Sequence, residues 1–473
     1  MFLGETYSSD MTSAQKSGPR VVVVGAGSLF FGRQAIWQMV HSPHLQRGTL
    51  VLVDTDEERL SKLVRLAEMV RDANAVSLGV EGHTDWVPAL PEADFVVLSF
   101  ANQTVKYRGI DCAISEKYGV RMCSGDTIGP GGIFRALREF PRILECAADV
   151  ERLCPDAWII NYINPSTVHG IGLMRYAPGI KSFALCDSLH MPHIKVRLAG
   201  MAGIEAAVGG ELTEELDRDF DMRIAGVNHF TWLLRAEWQG TDVSDTIAAS
   251  LRAGAAYEDP TVEGEAKGWL NKTIGAELYD VFDRVPVCVS HTKEYVPYYQ
   301  QAGRSGNGTP PLAIWDTETR YDRHEAMWHQ IDSFLEGTIP IEDYTTLLGP
   351  DHATDIIENM VGGLGRPFFV NCANRGAVTN MADDAFLELL CDIGMDGPVP
   401  RPVGKMPRGL LGQQQLILDT HELTAEAIAR DDRNLLRRAM LTDPIVNSIA
   451  DADAILAELL ELERDAIPAG WQA

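Results

Sequence analysis

Residues 20–28 read RVVVVGAGS, from Arg20 to Ser28, and their reading decides the fold. Four consecutive valines suit a strand buried on both faces; a half-exposed strand would alternate with polar residues. Gly25 then permits a tight turn, and Gly27 lets the backbone come close to a pyrophosphate. Helical spacing from Phe31 to Val40 follows, so the first N–H groups of that helix face the same spot. Strand, glycine turn and helix in this order open a dinucleotide-binding unit. The third glycine of the usual fingerprint is missing; Phe30, Phe31 and Gly32 stand there.

Outward from this stretch the same alternation continues. Leu50–Val53 reads as a second strand ending in Asp54, followed by a charged helix over Glu57–Arg71 and a third strand over Asp94–Ser99. Gly129 opens a long helix to Leu153. Strands over Trp158–Ile163 and Ser182–Leu185 end in Asn164-Pro165 and Cys186-Asp187. Alternating strands and helices at this spacing predict a doubly wound parallel α/β sheet, with ligand groups at the strand ends. After residue 195 the pattern changes. Arg223–Val227 and Phe230–Trp238 read as strands flanking Asn228-His229, and helices are expected over 263–282, 322–335, 352–362, 383–393 and 408–466. The expected organisation is a disordered tail (1–19), a Rossmann domain (20–195) and a mainly helical α+β domain (196–473), as in lactate and malate dehydrogenases.

The 473 residues carry a formal net charge of -26, which argues against nucleic acid or an anionic membrane as partner. No apolar run is long enough to span a bilayer, and Met1–Arg20 lacks the apolar centre of a signal peptide. Eight cysteines without paired spacing suggest reduced thiols and a cytoplasmic home. Asp54, closing the second strand, would accept hydrogen bonds from a ribose diol and repel a 2′-phosphate, so NAD is favoured over NADP. Gly25, Gly27, Ser28, Leu29, Phe30, Asp54, Asn102 and Asn164 make up the expected cofactor-binding set.

Further segments stand out in order: Arg108-Gly-Ile-Asp111, Gly125-Asp126-Thr127 with Gly129-Pro-Gly-Gly, Asn164-Pro165, Cys186-Asp187 and Asn228-His229. Singly they are unremarkable. Together, behind a Rossmann start, they resemble glycoside hydrolase family 4 and its sister family 188 of NAD-dependent sulfoquinovosidases. GAGSLFFGRQ, GDTIGPGGIFRALREFP, NYINPS, LCDS, GVNHFTW, HTKEYVPYY and GPDHATDIIENM carry the resemblance, which runs from about Val21 to about Leu460.

The resemblance implies a glycosidase dependent on NAD and Mn²⁺ or another divalent metal. It also implies a route outside the two-carboxylate scheme: hydride leaves C3 of the sugar, a base takes the C2 proton, the aglycone departs, water adds and the hydride returns. Cys186 and His229 are the implied metal ligands, a loose but chemically sound thiolate–imidazole pair. Asp187 is the implied acid for the leaving group, which favours an α-glycoside; the alternative is a carboxylate that orients the metal. Asn164 is expected at substrate hydroxyls or the cofactor, with His229, Arg108 and Asp126 lining the sugar pocket. A structural Arg108–Asp111 ion pair is the rival reading. The C2 base stays open between Lys272 and Tyr279.

Lys293 at the centre of HTKEYVPYY, with Arg304 and Arg320 after it, would suit an acidic sugar, a sulfoquinovoside or a uronide. A lysine on a solvated face is the duller reading. The resemblance further implies a homodimer or homotetramer. Two rivals stand beside the glycosidase: a lactate/malate-type NAD dehydrogenase, and a non-catalytic sensor of NAD and sugar.

Overall fold

Val21 to Val24 are each at most 3% exposed, as a strand covered on both faces requires. They form β1 (Arg20–Val24), flanked by β2 (Thr49–Val53) and β4 (Phe95–Leu98), with β3 (Gly79–His83), β5 (Trp158–Asn161) and β6 (Lys181–Ala184) completing a parallel set in the order β3-β2-β1-β4-β5-β6. The computed structural model describes residues 18–28, 32–186, 189–207, 210–255, 272–300, 316–348 and 351–471. Burying each valine stabilises the fold by about 1.5–3 kcal/mol relative to leaving it in water, so this strand pins the sheet.

The order reverses between β1 and β4. The crevice there is where the strand ends and the glycine turn converge. Gly25 has φ +89°, and a Cβ on it would lie 2.4 Å from Phe100 N, so only glycine lets the chain after β4 pass this closely. The missing third glycine is supplied later: Gly32 starts the helix Gly32–His41, and a Cβ there would lie 2.2 Å from Ala26 O.

The sheet does not stop at the domain boundary expected at 195/196. β6 pairs antiparallel with β11 (Pro367–Ala373) through Asn371 and Ala184. Beyond it lie β12 (Phe386–Gly394), β7 (Phe220–Val227), β8 (Phe230–Trp238) and β10 (Val285–Pro286), all antiparallel to their neighbours. β9 (Thr241–Asp242) pairs with β8, and β13 (Gly397–Pro400) with β12.

The helix expected over 383–393 is instead β12, a correction. The run Phe386–Leu389 is buried without interruption between β11 and β7. A short continuous apolar run gives no periodicity by which helix and central strand can be told apart. The expected long tail helix is three helices, Arg408–Arg430, Arg433–Thr442 and Ile449–Leu462. The first ends at Asp431 in left-handed backbone, and the Asp432 side chain caps the second by accepting from Asn434 N and Leu435 N. Of the helix expected over 263–282, Lys272–Phe282 lies among the described residues.

The helix Gly129–Leu153 forms with the bounds the sequence suggests and threads the core. It is anchored by a buried ionic cluster. Arg138 donates to Asp111 at 2.8 Å and to Glu463, with all three side chains almost fully excluded from water. Breaking one partner of such a buried cluster costs about 3–5 kcal/mol. The rival Arg108–Asp111 pair does not form, since Asp111 belongs to Arg138.

Candidate active site

Asp126 sits in the loop before the helix Gly129–Leu153, buried and ringed by donors. Arg108 Nη2 and Arg135 Nη1 lie 3.4 and 3.3 Å from its Oδ2, and Asn164 Nδ2 donates to the same oxygen at 3.2 Å. Ser124 Oγ donates to Oδ1 at 2.9 Å. Burial alone would raise the Asp126 carboxyl, but Arg108 and Arg135 outweigh it and hold the group far below the usual carboxylate range. Asp126 is therefore a fixed anion that accepts hydrogen bonds. Arg108 is aimed by the Ser124 carbonyl, to which its Nε and Nη2 donate at 2.9 and 2.6 Å.

Asn164 lies just beyond β5, and Cys186 just beyond β6. His229 is at the tip of the β7–β8 hairpin with φ +64°, so strand ends from both halves of the sheet meet here. Asn164 Nδ2 lies 3.5 Å from His229 Nε2, and Cys186 Sγ lies 3.4 Å from Nδ1 and 3.6 Å from Nε2 of the same ring. The structure thus brings together Arg108, Asp126, Asn164, Cys186 and His229. Among the described residues no group of three or more His, Cys, Asp or Glu side chains is arranged to hold a metal ion.

At the cofactor end, Gly27 N donates to Asp54 Oδ2 at 2.8 Å, so the carboxylate closing β2 leans over the glycine turn. Asn102 lies just beyond β4, its backbone N–H bonded to Glu139 at 2.9 Å. Leu29, Phe30, Asp187 and Arg304 lie outside the described residues.

Lys272 and Tyr279 are not brought into this cluster. Tyr279 OH donates to Asp245 at 2.7 Å and its ring lies under Arg252; burial and the Asp245 bond push its phenol up to about 12. Lys272 is exposed at the start of its helix, against Gly254. Lys293, in contrast, is 1% exposed, so the solvated-face reading does not hold. Among the described residues no hydrogen bond or ion pair reaches its ammonium. Half-buried Arg320 stands near Arg108 and Asp126; burial and Arg108 pull its guanidinium down to about 10.

Sequence reasoning missed several neighbours. Glu294 is buried beside Lys293. It accepts from Ser124 N and from Gly125 N (3.2 Å), which fixes the loop carrying Asp126. Cys288 Sγ lies 3.4 Å from His229 Nδ1, and the His291 ring stacks on His229 with centroids 4.1 Å apart. Glu388 on β12 interacts with Cys186 and Asn228; burial lifts its carboxyl well above the usual range. A lone acid in the apolar run FLELLC was the available signal, and the helix reading hid its face.

Residues 20–202 match the model of the family 4 glycosyl hydrolases, and residues 224–446 match that family's C-terminal domain. The chain belongs to glycosyl hydrolase family 4. Family 4 relatives include an α-galactosidase of Bacillus subtilis, 26% identical over 460 residues, covering 95% of this chain and 99% of that protein. An α-galacturonidase of Thermoanaerobacterium saccharolyticum is 27% identical over 453 residues, covering 88% and 92%. Among solved structures, a 6-phospho-α-glucosidase from gut microorganisms, in complex with NAD and Mn²⁺, superposes with a TM-score of 0.77 at 20% identity. It covers 95% of this chain and 99% of that one, and so has the same fold. As a family 4 member the chain is a glycosidase, which answers the dehydrogenase alternative. Among the described residues no helix is long and apolar enough to cross a membrane.

Proposed function

We propose that this family 4 glycosidase uses NAD and Mn²⁺ to cleave an α-glycoside of an acidic sugar, a sulfoquinovoside or a uronide. The observation that carries the substrate class is the buried Lys293 ammonium. An unpaired buried charge costs several kcal/mol, and among the described residues no hydrogen bond or ion pair reaches the Lys293 ammonium, in a chain of net charge -26. A substrate anion at this point would supply the missing countercharge. Two of the relatives named above are called a galacturonidase and a 6-phospho-α-glucosidase, names that put an anionic group on the sugar.

The residues fit both cofactors. Gly25 and Gly32 let the turn close tightly on Phe100 and Ala26 at the strand end, and Asp54, which accepts from Gly27 N in that turn, would repel a 2′-phosphate. Two donors of one tetrahedral ion stand about 3.5 Å apart, given metal–sulfur and metal–nitrogen lengths of about 2.3 and 2.0–2.1 Å. Cys186 Sγ and the His229 nitrogens match that spacing. When bound, the two groups supply a reversible hydride acceptor and a Lewis acid for the sugar oxygens. Asp126, held ionised, orients sugar hydroxyls by accepting from them. Asn164, anchored on Asp126, presents its amide N–H on the same side as His229. The α preference rests on the carboxylate of Asp187. Eight buried thiols suit a reducing compartment, the cytoplasm.

The test is a panel of nitrophenyl α-glycosides (sulfoquinovoside, galacturonide, glucuronide, 6-phosphoglucoside, galactoside) with NAD, Mn²⁺ and reductant. Release of nitrophenol from an acidic member without net NADH is expected. Turnover of the neutral galactoside alone would reject the acidic-sugar reading, and ligand binding with no nitrophenol would favour the sensor.

A further inference from the structure

The ring of His229 has a defined orientation and a defined partner on each nitrogen. Asn164 donates through Nδ2 to Asp126 Oδ2, an oxygen that only accepts, so the amide's NH₂ end is the one that faces His229 Nε2 at 3.5 Å. A donor against Nε2 makes Nε2 the lone-pair nitrogen and puts the ring proton on Nδ1. Two sulfurs stand 3.4 Å from Nδ1, those of Cys186 and Cys288. Cys186 Sγ is also 3.6 Å from Nε2, on the side of Asn164 and the sugar residues. Cys288 reaches the ring through Nδ1.

Cys288 is held in place by the backbone. Val287 N bonds Thr231 O at 3.1 Å, and the buried Thr292 hydroxyl spans the carbonyls of Cys288 and His229 at 2.8 and 3.2 Å. The thiol and the imidazole are thus tied to one another through main chain as well as through the ring.

We propose that Cys288 is a positioning residue for the metal pair: its sulfur accepts the Nδ1–H of His229 and so fixes the tautomer whose Nε2 lone pair faces the sugar. This rests on Cys186 and His229 being the metal-binding pair. Once Cys186 serves the metal, Cys288 is the sulfur left for Nδ1–H. The lack of any group of three metal-holding side chains among the described residues fits an outer role rather than a third ligand. Outer partners of metal-bound histidines are worth about 10–100-fold in metal affinity.

The experiment uses ¹⁵N-histidine-labelled full-length protein, first without metal. The His229 ring is assigned by the signal lost in His229→Asn, and its tautomer is read from long-range ¹H–¹⁵N correlations. The Nδ1–H form should dominate in the wild type, Cys186→Ala and Cys288→Ser, and lose its dominance when Cys288→Ala is combined with Cys186→Ala, which leaves neither sulfur at Nδ1. Co²⁺ titration then reads affinity and the sulfur-to-cobalt charge-transfer band. Cys288→Ala should bind about tenfold or more weakly with an undiminished band at saturation, Cys288→Ser should recover most of the affinity, and Cys186→Ala should lose the band. A tautomer that is the same in Cys186→Ala with and without Cys288→Ala overturns the proposal, and so does a charge-transfer band that falls by half in Cys288→Ala alone, which would make Cys288 a ligand. A band that survives in Cys186→Ala overturns the metal reading instead, while the metal-free spectra still judge Cys288. Should Cys288→Ala not fold, as seen by circular dichroism, a switch to Nε2–H in Cys288→Ser overturns the role equally well.

Discussion

The buried carboxylate of Asp443 accepts the backbone N–H of Gly129 at 2.7 Å and so closes the N-terminus of the helix that carries Arg135 and Arg138. That carboxylate satisfies one of the N–H groups that a helix start leaves without an intrahelical partner. Asp443 also accepts from Ile445 N at 3.1 Å, yet burial outweighs both bonds and raises its carboxyl to about 7. A folded-state value above the unfolded one means that the stability contribution is complete below the unfolded value near 4 and is lost as pH rises through 7. Asp443→Asn mimics the protonated form. Its stability relative to the wild type should grow by up to about 1.4 kcal/mol per pH unit between pH 5 and 7 and level off above 8. Urea melts at four pH values check this, and a difference independent of pH would refute the assignment.

Two buried histidines act in the opposite sense. His169 bonds the Ile163 carbonyl through Nδ1 and His421 the Thr127 carbonyl through Nε2; burial lowers them to about 3 and about 4. With folded values below the unfolded value near 6.5, their contribution is complete above pH 6.5 and is lost as pH falls towards 4. Acid unfolding should show a proton uptake of about two from these groups, each worth roughly 1.4 kcal/mol per pH unit. His421→Gln keeps an amide donor for Thr127 O and cannot take up a proton. It should flatten the slope between pH 6 and 4.5 by the share of one histidine, measured as urea midpoint against pH.

Signals that reside in neighbouring residues were legible in the sequence. The valine run, the glycine turn and the strand before Asp54 were legible because a strand and its turn are written in adjacent residues. The helix Gly129–Leu153 read correctly because its start is marked by Gly-Pro-Gly-Gly. β12 did not, because its continuous apolar run carries no periodicity and its extended form is set by pairing with β11 and with β7, the latter far away in sequence. The cluster around His229 is half legible for the same reason. Cys186 and His229 sit at strand ends, where ligands are expected, whereas Cys288 arrives on β10 and its following turn, which meet β8 by tertiary pairing. Lys272 and Tyr279 were chosen by position along the chain, and a helix that packs against Ser244–Ala255 turns them elsewhere.

Gly32 should be irreplaceable although it departs from the usual fingerprint spacing. Gly32→Ala places a Cβ 2.2 Å from Ala26 O, a backbone atom that cannot move without shifting the turn. Loss of NAD binding by calorimetry and a lower melting temperature are expected. Gly200→Ala, in the helix His193–Met201 with nothing within 4 Å of the added carbon, is the control. It should gain roughly 0.5–1 kcal/mol from helix propensity and leave NAD binding as it was. Equal behaviour of the two variants would mean that the turn tolerates the shift and that the close approach has no bearing on the cofactor.

Lys293→Met separates the acidic-sugar reading from a purely structural lysine. Methionine keeps much of the stem's volume and removes the charge, relieving a buried ammonium that no carboxylate of the described residues neutralises. The variant should therefore be at least as stable as the wild type in a thermal melt. If the ammonium meets the substrate's anion, kcat/KM on the acidic glycoside should fall by roughly one to two orders of magnitude, as expected for a lost charge-assisted hydrogen bond of about 1.5–3 kcal/mol. The neutral galactoside should be cleaved no worse than before, and selectivity between the two is the number to report. A parallel loss on both substrates, or a drop in melting temperature without a change in selectivity, would assign Lys293 to the scaffold and remove the main support for an anionic sugar.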